Sequence, residues 1–392
     1  MREKLKNFFN GKSTSIISAA VIVAAASLAS RLLGVVRDRI LAGQFGAGNE
    51  LDIYYAAFRL PDLVYSLLVA GALSAGFIPI FAELISGGKS QKAAWRVANG
   101  VLNIVFIGTA ALCAILALFA SYIIPFVTPG FTGEKLELTI QLSRIMFLSP
   151  LFLGLGAVFG GILQTHKRFI LYSIAPIFYN LGIIFGALFL VSRFGLVGLG
   201  IGVAIGAFLH FAVQIPGVYA LGWRYAPVLP LGDKNVRKIG KTMVPRVLSL
   251  AVNNINIIVI TAIASTLAAG SVAVFNLANN LQYFPVGIIG FSFAIAAFPT
   301  ISEFAANESW EKFRKAFSNT VRDILFFMIP ASIVLLLLRA QIVRVILGSG
   351  AFSWEDTILT ADALAFFGLS IFAQAIVPLL VRMFFAIKNT AM

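Results

Sequence analysis

The stretch SLASRLLGVVRDRILAGQFGAGNELDIYYAAFRLPD, residues 27–62, brings charged side chains into an otherwise apolar segment. On an α-helix, residues seven apart lie about 20° apart around the axis. Ser30 therefore shares a stripe with Arg37, and Arg31 shares the next stripe with Asp38. These four side chains fit within roughly 120° of arc. The pattern predicts a helix with one cationic, hydrogen-bonding face and apolar faces elsewhere.

Two interpretations of this cationic face are open. A charge at the centre of a bilayer costs roughly 2.5 to 3.5 kcal/mol, so such residues normally face a bundle interior or a water-filled cavity. The face could therefore line a cavity for an anionic substrate. It could also be a snorkelling arginine cluster, or a buried Arg–Asp pair that only fixes packing. Spacing alone leaves both open.

The composition is that of a polytopic membrane protein. Of the 392 residues, 59% are hydrophobic and only 12% are charged, whereas soluble proteins carry about 25% charged residues. The net charge of +14 comes from basic residues in short loops between apolar segments. Positive-inside topology explains such loops, so the charge does not indicate a nucleic-acid partner.

The apolar segments are long enough to be transmembrane helices, since about 20 residues cross a bilayer. They predict an all-α protein with about ten spans, at approximately 16–40, 52–84, 96–125, 138–164, 169–192, 197–221, 241–267, 272–302, 317–347 and 358–387. Lys and Arg precede the first span and follow the even-numbered spans, and they are sparse in the other loops. The N-terminus is therefore expected to be cytoplasmic.

The sequence offers no pattern for a metal or a cofactor. The one cysteine, Cys113, lies in an apolar run, where it acts as a small hydrophobic residue. His166 and His210 are far apart in sequence, which argues against a histidine metal cluster. We expect neither a metal site nor a cofactor.

Two spans are interrupted at corresponding places. Leu60-Pro61 breaks the second span, and Pro285, Gly290 and Pro299 loosen the eighth. Proline and glycine at membrane depth free backbone groups that neighbouring helices or cavity water must satisfy. Breaks in matching spans of two halves indicate a transport site.

The two halves also resemble each other in sequence. AGFIPIFAELI at 75–85 is similar to IAAFPTISEFA at 295–305, and KSQKAAWRVANG at 89–100 to ESWEKFRKAFSN at 308–319. The offset stays at about 220 residues, which indicates an internal repeat. Because about six spans separate the copies, the repeats are parallel. The predicted domains are an N-lobe of about six spans at 1–223, a cytoplasmic linker at 224–240 and a partial C-lobe of about four spans at 241–392.

The second copy stops at Met392, where the first copy continues with two more spans, 169–192 and 197–221. The second lobe is therefore expected to be incomplete. We expect a C-terminally truncated chain or a fragment, with a natural short form as the alternative.

The sequence resembles the MurJ/MviN family of lipid II flippases, within the superfamily of multidrug, oligosaccharidyl-lipid and polysaccharide exporters. The resemblance covers essentially the whole chain and rests on SRLLGVVRD, FGAGNELDIYYAAFRLPD, GALSAGFIPIFAE, PVGIIGFSFAIAAFPTIS, LGSGAFSWEDTILTADAL and IVPLLVRMFFAIKNT. It implies about fourteen spans in the full family, in two lobes around a cationic cavity. It also implies a bacterial cytoplasmic membrane and a part in peptidoglycan synthesis, cell-wall biogenesis and cell shape. The partners it implies are lipid II or a similar polyprenyl-pyrophosphate glycolipid, membrane lipids and cell-wall synthesis proteins.

The resemblance assigns substrate contacts residue by residue. The matching positions of the first two spans are Ser30, Arg31, Arg37, Asp38 and Asp52. Basic residues expected by the family pattern fall at Tyr65 and Asn280, and an expected glutamate falls at Ala70.

Two further residues are candidates in the second half. Arg246 could supply charge to the cavity or anchor the interface, and both interpretations are open. The amides of spans seven and eight are expected to act mainly as hydrogen bonds between helices, with Asn280 the best candidate to face the cavity.

These observations predict a flippase, not an enzyme. Arg31 and Arg37 would bind the pyrophosphate through the planar guanidinium fork, which suits phosphate. Asp38 and Asp52 would orient or neutralise these arginines in the empty state. Two lobes would then expose the cavity to the two membrane sides by alternating access.

Three other functions compete with this prediction. An exporter of cationic drugs should have an acidic cavity, which the basic first helix argues against. A flippase for another polyprenyl-linked oligosaccharide stays open because of Tyr65 and Asn280. A polyprenyl-phosphate transferase would need acidic metal-binding clusters, which the sequence lacks. No nucleotide-binding motif occurs, and the energy source is open.

Overall fold

The computed structural model describes residues 16–67, 76–86, 91–230 and 232–387, with side chains from residue 21 onward except at 86, 242–251 and 253. Over these ranges the backbone is helical almost throughout and no strand occurs. The predicted all-α class is therefore confirmed. Wider π-helical turns occur at Gly186–Leu190 and Val286–Gly290.

Helices lie at each of the predicted spans. In chain order they are α1 (Ile16–Phe45), α2 (Asn49–Ala57), α3 (Arg59–Tyr65), α4 (Ile78–Ser86), α5 (Gln91–Leu118), α6 (Ala120–Val127), α7 (Gly133–Met146), α8 (Leu148–Thr165), α9 (Phe169–Phe185), α10 (Val191–Phe194), α11 (Val197–Ala212), α12 (Ile215–Tyr219), α13 (Lys234–Ser265), α14 (Ser271–Pro285), α15 (Phe291–Ala306), α16 (Trp310–Leu337), α17 (Arg339–Leu347), α18 (Trp354–Gly368) and α19 (Ile371–Ala386).

Six helical segments of the described chain are long and apolar enough to cross a membrane, and α18 with α19, bent by 49°, would make a seventh. The other three predicted spans are helical but depart from a simple apolar rod. The first carries charges in its second half, the second is divided among α2, α3 and α4, and the seventh begins with a basic turn. These departures are where polar side chains enter the structure.

Proline explains the break in the second span. Pro61 has no N–H to donate to the carbonyl of Ala57, and its ring crowds that carbonyl. The helix accordingly ends at Ala57, and α3 starts at Arg59 after Phe58. In the eighth span, the π-helical turn follows directly after Pro285. The interruptions predicted at Pro61 and Pro285 are confirmed, whereas α15 runs through Pro299 without a break.

The chain forms two compact units. One contains residues 1–41 and 48–272, and the other contains residues 42–47 and 273–392. In the second unit, the carbonyl of Gly43 accepts a hydrogen bond of 2.7 Å from the N–H of Ala351. The first unit takes in α13, which the sequence analysis assigned to the C-lobe. The lobes at 1–223 and 241–392 stay a prediction, since compactness does not test the repeat.

The first unit has a core of aromatic and aliphatic side chains. Phe77 and Phe81 stack with ring centroids 5.2 Å apart, and both are fully buried. Phe159 lies edge-on to Trp223 in the same cluster, at 5.0 Å. This core fixes α4, α5 and α8 against each other and so supports the elements next to the polar site.

Glycines allow α9 and α11 to pack backbone to backbone. A Cβ on Gly182 would overlap the Cα of Gly206, and a Cβ on Gly186 would lie 2.6 Å from the Cα of Gly202. Close approach through small residues is the usual way in which membrane helices gain contact, since lipid supplies no hydrophobic drive between them. The position of α9 therefore depends on these glycines.

We predict that Gly182→Ala destabilises the protein by about 1–3 kcal/mol, because the added methyl group meets backbone that cannot rotate away. The matched control is Gly108→Ala in α5, where nothing lies within 4 Å of the added Cβ. That change should be neutral or stabilise by up to about 1 kcal/mol, since alanine is the better helix former. Unfolding of both variants in detergent measures the difference. Equal stabilities would contradict the account.

Candidate substrate site

The polar stripe of the first span lies on one continuous helix. α1 carries Ser30, Arg31, Arg37 and Asp38 without a break between them. Arg31 and Arg39 are exposed, and Asp38 is buried at 6% exposure. Arg37 lies between these extremes, with 21% of its side chain accessible. The structure thus gives the four predicted residues different environments along one face.

Arg37 is held by two partners in the first unit. Its Nε and Nη2 donate to Oδ1 of Asp38 at 3.0 and 2.8 Å, and its Nη1 donates to Oδ1 of Asn180 at 3.0 Å. A guanidinium has five N–H donors. Three of them are committed within the described residues, which leaves two for a ligand. Asp38 supplies the counter-charge, and Asn180 fixes the direction of the fork.

Asn180 is a candidate site residue that the sequence analysis missed. Its Nδ2 donates to the carbonyl of Pro176 at 3.2 Å and faces Ser30 at 3.4 Å to the carbonyl and 3.5 Å to Oγ. This amide therefore links α9 to two turns of α1. Its signal in the sequence is an amide inside the apolar run of α9, FILYSIAPIFYNLGIIF. Nothing in the sequence around Asn180 indicates that it bonds Arg37, which lies 143 residues away in the chain.

Asp52 occupies a different setting. Its Oδ2 accepts from Nζ of Lys135 at 2.7 Å and from the N–H of Gly270 at 2.8 Å. Lys135 also donates to Asn49 and lies 4.1 Å from the centroid of the Phe131 ring. The carboxylate thereby ties α2 to the start of α7 and to the turn at Gly270, whose φ is +90°. The substrate contact of Asp52 stays a prediction, and both described contacts of its Oδ2 are within the protein.

A second arginine lies buried in the second span. Arg59, 9% exposed, donates from Nε to Oγ1 of Thr261 at 2.7 Å. Tyr54 and Tyr55 lie on α2, the helix before it. The hydroxyl of Tyr55 is buried and has no hydrogen-bond partner among the described residues. The second span thus carries a buried cation on α3 and, on α2, a buried phenol without a described partner.

The candidates of the second half have different outcomes. Asn280 is exposed on α14. Its neighbour Gln282 instead joins an interhelical chain, since its Nε2 donates to Asn279 at 2.8 Å and its Oε1 accepts from Gln374 at 3.1 Å. The side chain of Arg246 lies outside the described residues, as does Ala70, while Tyr65 is half-buried.

Sequence comparison with known proteins identifies one family. The family model described as lipid II flippase MurJ matches residues 41–392. A probable lipid II flippase of Rhizobium tropici is 29% identical over 385 residues, which is 96% of this chain and 72% of that protein. A probable lipid II flippase of Vibrio cholerae is 28% identical and covers 96% of this chain and 74% of its own length.

A solved structure of a lipid II flippase in an inward closed conformation has a TM-score of 0.81 at 27% identity, covering 95% of this chain and 77% of its own. An inward-facing multidrug resistance MATE transporter has a TM-score of 0.72 at 17% identity, over 94% of this chain and 85% of its own. At that identity the second likeness concerns the fold alone.

We predict that Asp52 and Lys135 are coupled in stability by about 1–2 kcal/mol, since the carboxylate is buried and one fifth of the lysine side chain remains exposed. A double-mutant cycle with Asp52→Asn and Lys135→Met measures this coupling by unfolding in detergent. Glu134→Gln, at the exposed neighbouring position, is the control and should change stability by less than about 0.5 kcal/mol. A strictly additive cycle would show that the pair does not hold α2 to α7.

Proposed function

Because the chain belongs to the lipid II flippase MurJ family, we propose that it carries lipid II across the bacterial cytoplasmic membrane. The chain is a transporter rather than an enzyme, and it acts in peptidoglycan biosynthesis. The observation that supports a direct role for the first span is the guanidinium of Arg37. It is held in position, partly accessible, and has two donors left.

The physical task is to move a pyrophosphate through about 30 Å of hydrocarbon. An unpaired anion there is prohibitive, because the low dielectric medium replaces none of its hydration. Arginine is suited to the task, since its planar fork gives bidentate, charge-assisted bonds to phosphate oxygens. Arg37 would make the central contact and Arg31, one turn and a half earlier on α1, a second one.

Asp38 would serve as the resting counter-ion. It accepts two of the Arg37 donors. An incoming diphosphate, which carries more charge than one carboxylate, would compete for the same donors. Asn180 would keep the guanidinium plane fixed during this exchange, because it bonds Arg37 and its own helix at once.

Other residues have supporting parts in this proposal. The hydroxyl of Tyr55, which lacks a partner among the described residues, would donate to the headgroup. Asp52 would act as a positioning residue through Lys135. Arg246 and Asn280 remain candidate contacts from the second half.

Alternating access is the proposed transport cycle. Its support is the parallel repeat of the sequence and the likeness in fold to transporters. The cytoplasmic N-terminus belongs to the same proposal, since it rests on the distribution of Lys and Arg among the loops. The net positive charge of α1 favours an anionic lipid over a cationic drug as the substrate.

We predict that Arg37→Ala lowers the rate of lipid II flipping in proteoliposomes by at least about tenfold, since charge-assisted hydrogen bonds contribute about 1.5–3 kcal/mol each. Arg37→Lys keeps the charge and loses the planar fork, so its flipping rate should lie between those of wild type and Arg37→Ala. Arg193→Ala, at an exposed position on α10, is the control and should flip at the wild-type rate. Undiminished flipping by correctly folded Arg37→Ala would remove the proposal.

A competition arm identifies the glycolipid. Lipid II should displace a labelled lipid II from the protein in nanodiscs, whereas a polyprenyl-pyrophosphate with an unrelated oligosaccharide should displace it poorly. Equal displacement by both would mean that the site recognises the pyrophosphate and polyprenyl parts alone.

A further inference from the structure

A separate cavity of about 810 Å³ lies in the first unit, where α5 begins. One wall is the first turns of α5, and the other is the chain that follows α12, residues 222–228. None of its lining residues belongs to the stripe of α1 or to the cluster around Arg59. The cavity is therefore distinct from the candidate substrate site.

The second wall is held rigidly although it has no regular structure. Asn99 donates to the carbonyl of Arg224 at 2.9 Å and accepts from the indole of Trp223 at 3.0 Å. Asn103 donates to the carbonyls of Ala226 and Val228 at 3.0 and 2.9 Å. Two buried amides, one turn apart on α5, thus fix an irregular segment along the helix. The cavity is a built feature rather than a gap beneath a loose loop.

The lining is cationic. Lys92, Arg96 and Arg224 all reach it, and none of the described lining residues is acidic. None of the three takes part in an ion pair among the described residues. Gln91, the first described residue of α5, lines the cavity as well. Three cationic side chains without an acid suit a phosphate group.

The surroundings point to a lipid as the carrier of that phosphate. Tyr225 lines the cavity and is 57% exposed, and Trp95 lines it as well. Such amphipathic rings are enriched at the level of the lipid headgroups. Leu229, just beyond the wall, is 52% exposed and would meet acyl chains.

We propose that this cavity binds the phosphate headgroup of an anionic membrane lipid on the face where the loops after the second and sixth spans lie. Positive-inside topology explains why basic residues occur on that face. Positive-inside topology does not explain why three basic side chains line one fixed cavity that has no acidic lining residue. The corresponding turn of the second sequence copy, at the start of α16, carries Glu308 and Glu311 beside its cations.

The experiment compares lipids retained by the purified protein, measured by native mass spectrometry after exchange into phosphatidylglycerol or phosphatidylcholine nanodiscs. Wild type should retain more phosphatidylglycerol than phosphatidylcholine. The triple variant Lys92→Gln/Arg96→Gln/Arg224→Gln should retain about tenfold less, since basic residues near the surface each contribute to anionic lipid binding. The control Lys312→Gln/Arg314→Gln/Lys315→Gln removes equal charge from exposed positions of α16 and should behave as wild type.

Arg224 also bonds the backbone, with Nη1 donating to the carbonyl of Trp223 at 2.8 Å. The double variant Lys92→Gln/Arg96→Gln leaves this bond in place and should still retain several-fold less phosphatidylglycerol than wild type. Soluble glycerol 3-phosphate in excess should not displace the lipid, because it brings no acyl contact. Equal retention by the cavity variants and the control would overturn the proposal, and displacement by glycerol 3-phosphate would overturn its lipid part.

Discussion

A guanidinium within a hydrocarbon layer must be paired, and the pairing of Arg37 is the constraint on which the site depends. Asp38 supplies the opposite charge from the same helix, and Asn180 supplies a neutral acceptor from α9. Because Asn180 is neutral, Asp38 is the partner that balances the charge of Arg37, and an anionic ligand could take its place. A ligand that replaced Asp38 would find Arg37 already oriented.

The rest of the first unit can be understood as support for that arrangement. Gly182 and Gly206 allow α9 to lie against α11, and α9 carries Asn180. The break before Pro61 separates α2 from α3, which begins with Arg59. Asp52 fixes the beginning of that span through Lys135. The glycine contact thus positions α9, the proline sets where α3 begins, and the buried ion pair positions α2.

Sequence reasoning found what is local and missed what joins distant segments. The spans were predictable because runs of about 20 apolar residues have one explanation in a chain this apolar. The interruptions at Pro61 and Pro285 were predictable because proline has no N–H to give. The partner of Arg37 was not, because helix periodicity describes one element and Asn180 lies on another. The same holds for Lys135 and Gly270 around Asp52, and for Thr261 beside Arg59.

The most direct measurement of the central claim is the affinity of Asp38→Asn for undecaprenyl pyrophosphate, obtained by titration of the protein in nanodiscs. Asparagine keeps the shape of the side chain and one acceptor oxygen for Arg37, but it removes the charge that competes with the ligand. If Asp38 is the resting counter-ion, the variant binds more tightly than wild type, by about tenfold for a change of about 1.4 kcal/mol. Unchanged or weaker binding would contradict the exchange of Asp38 for the diphosphate.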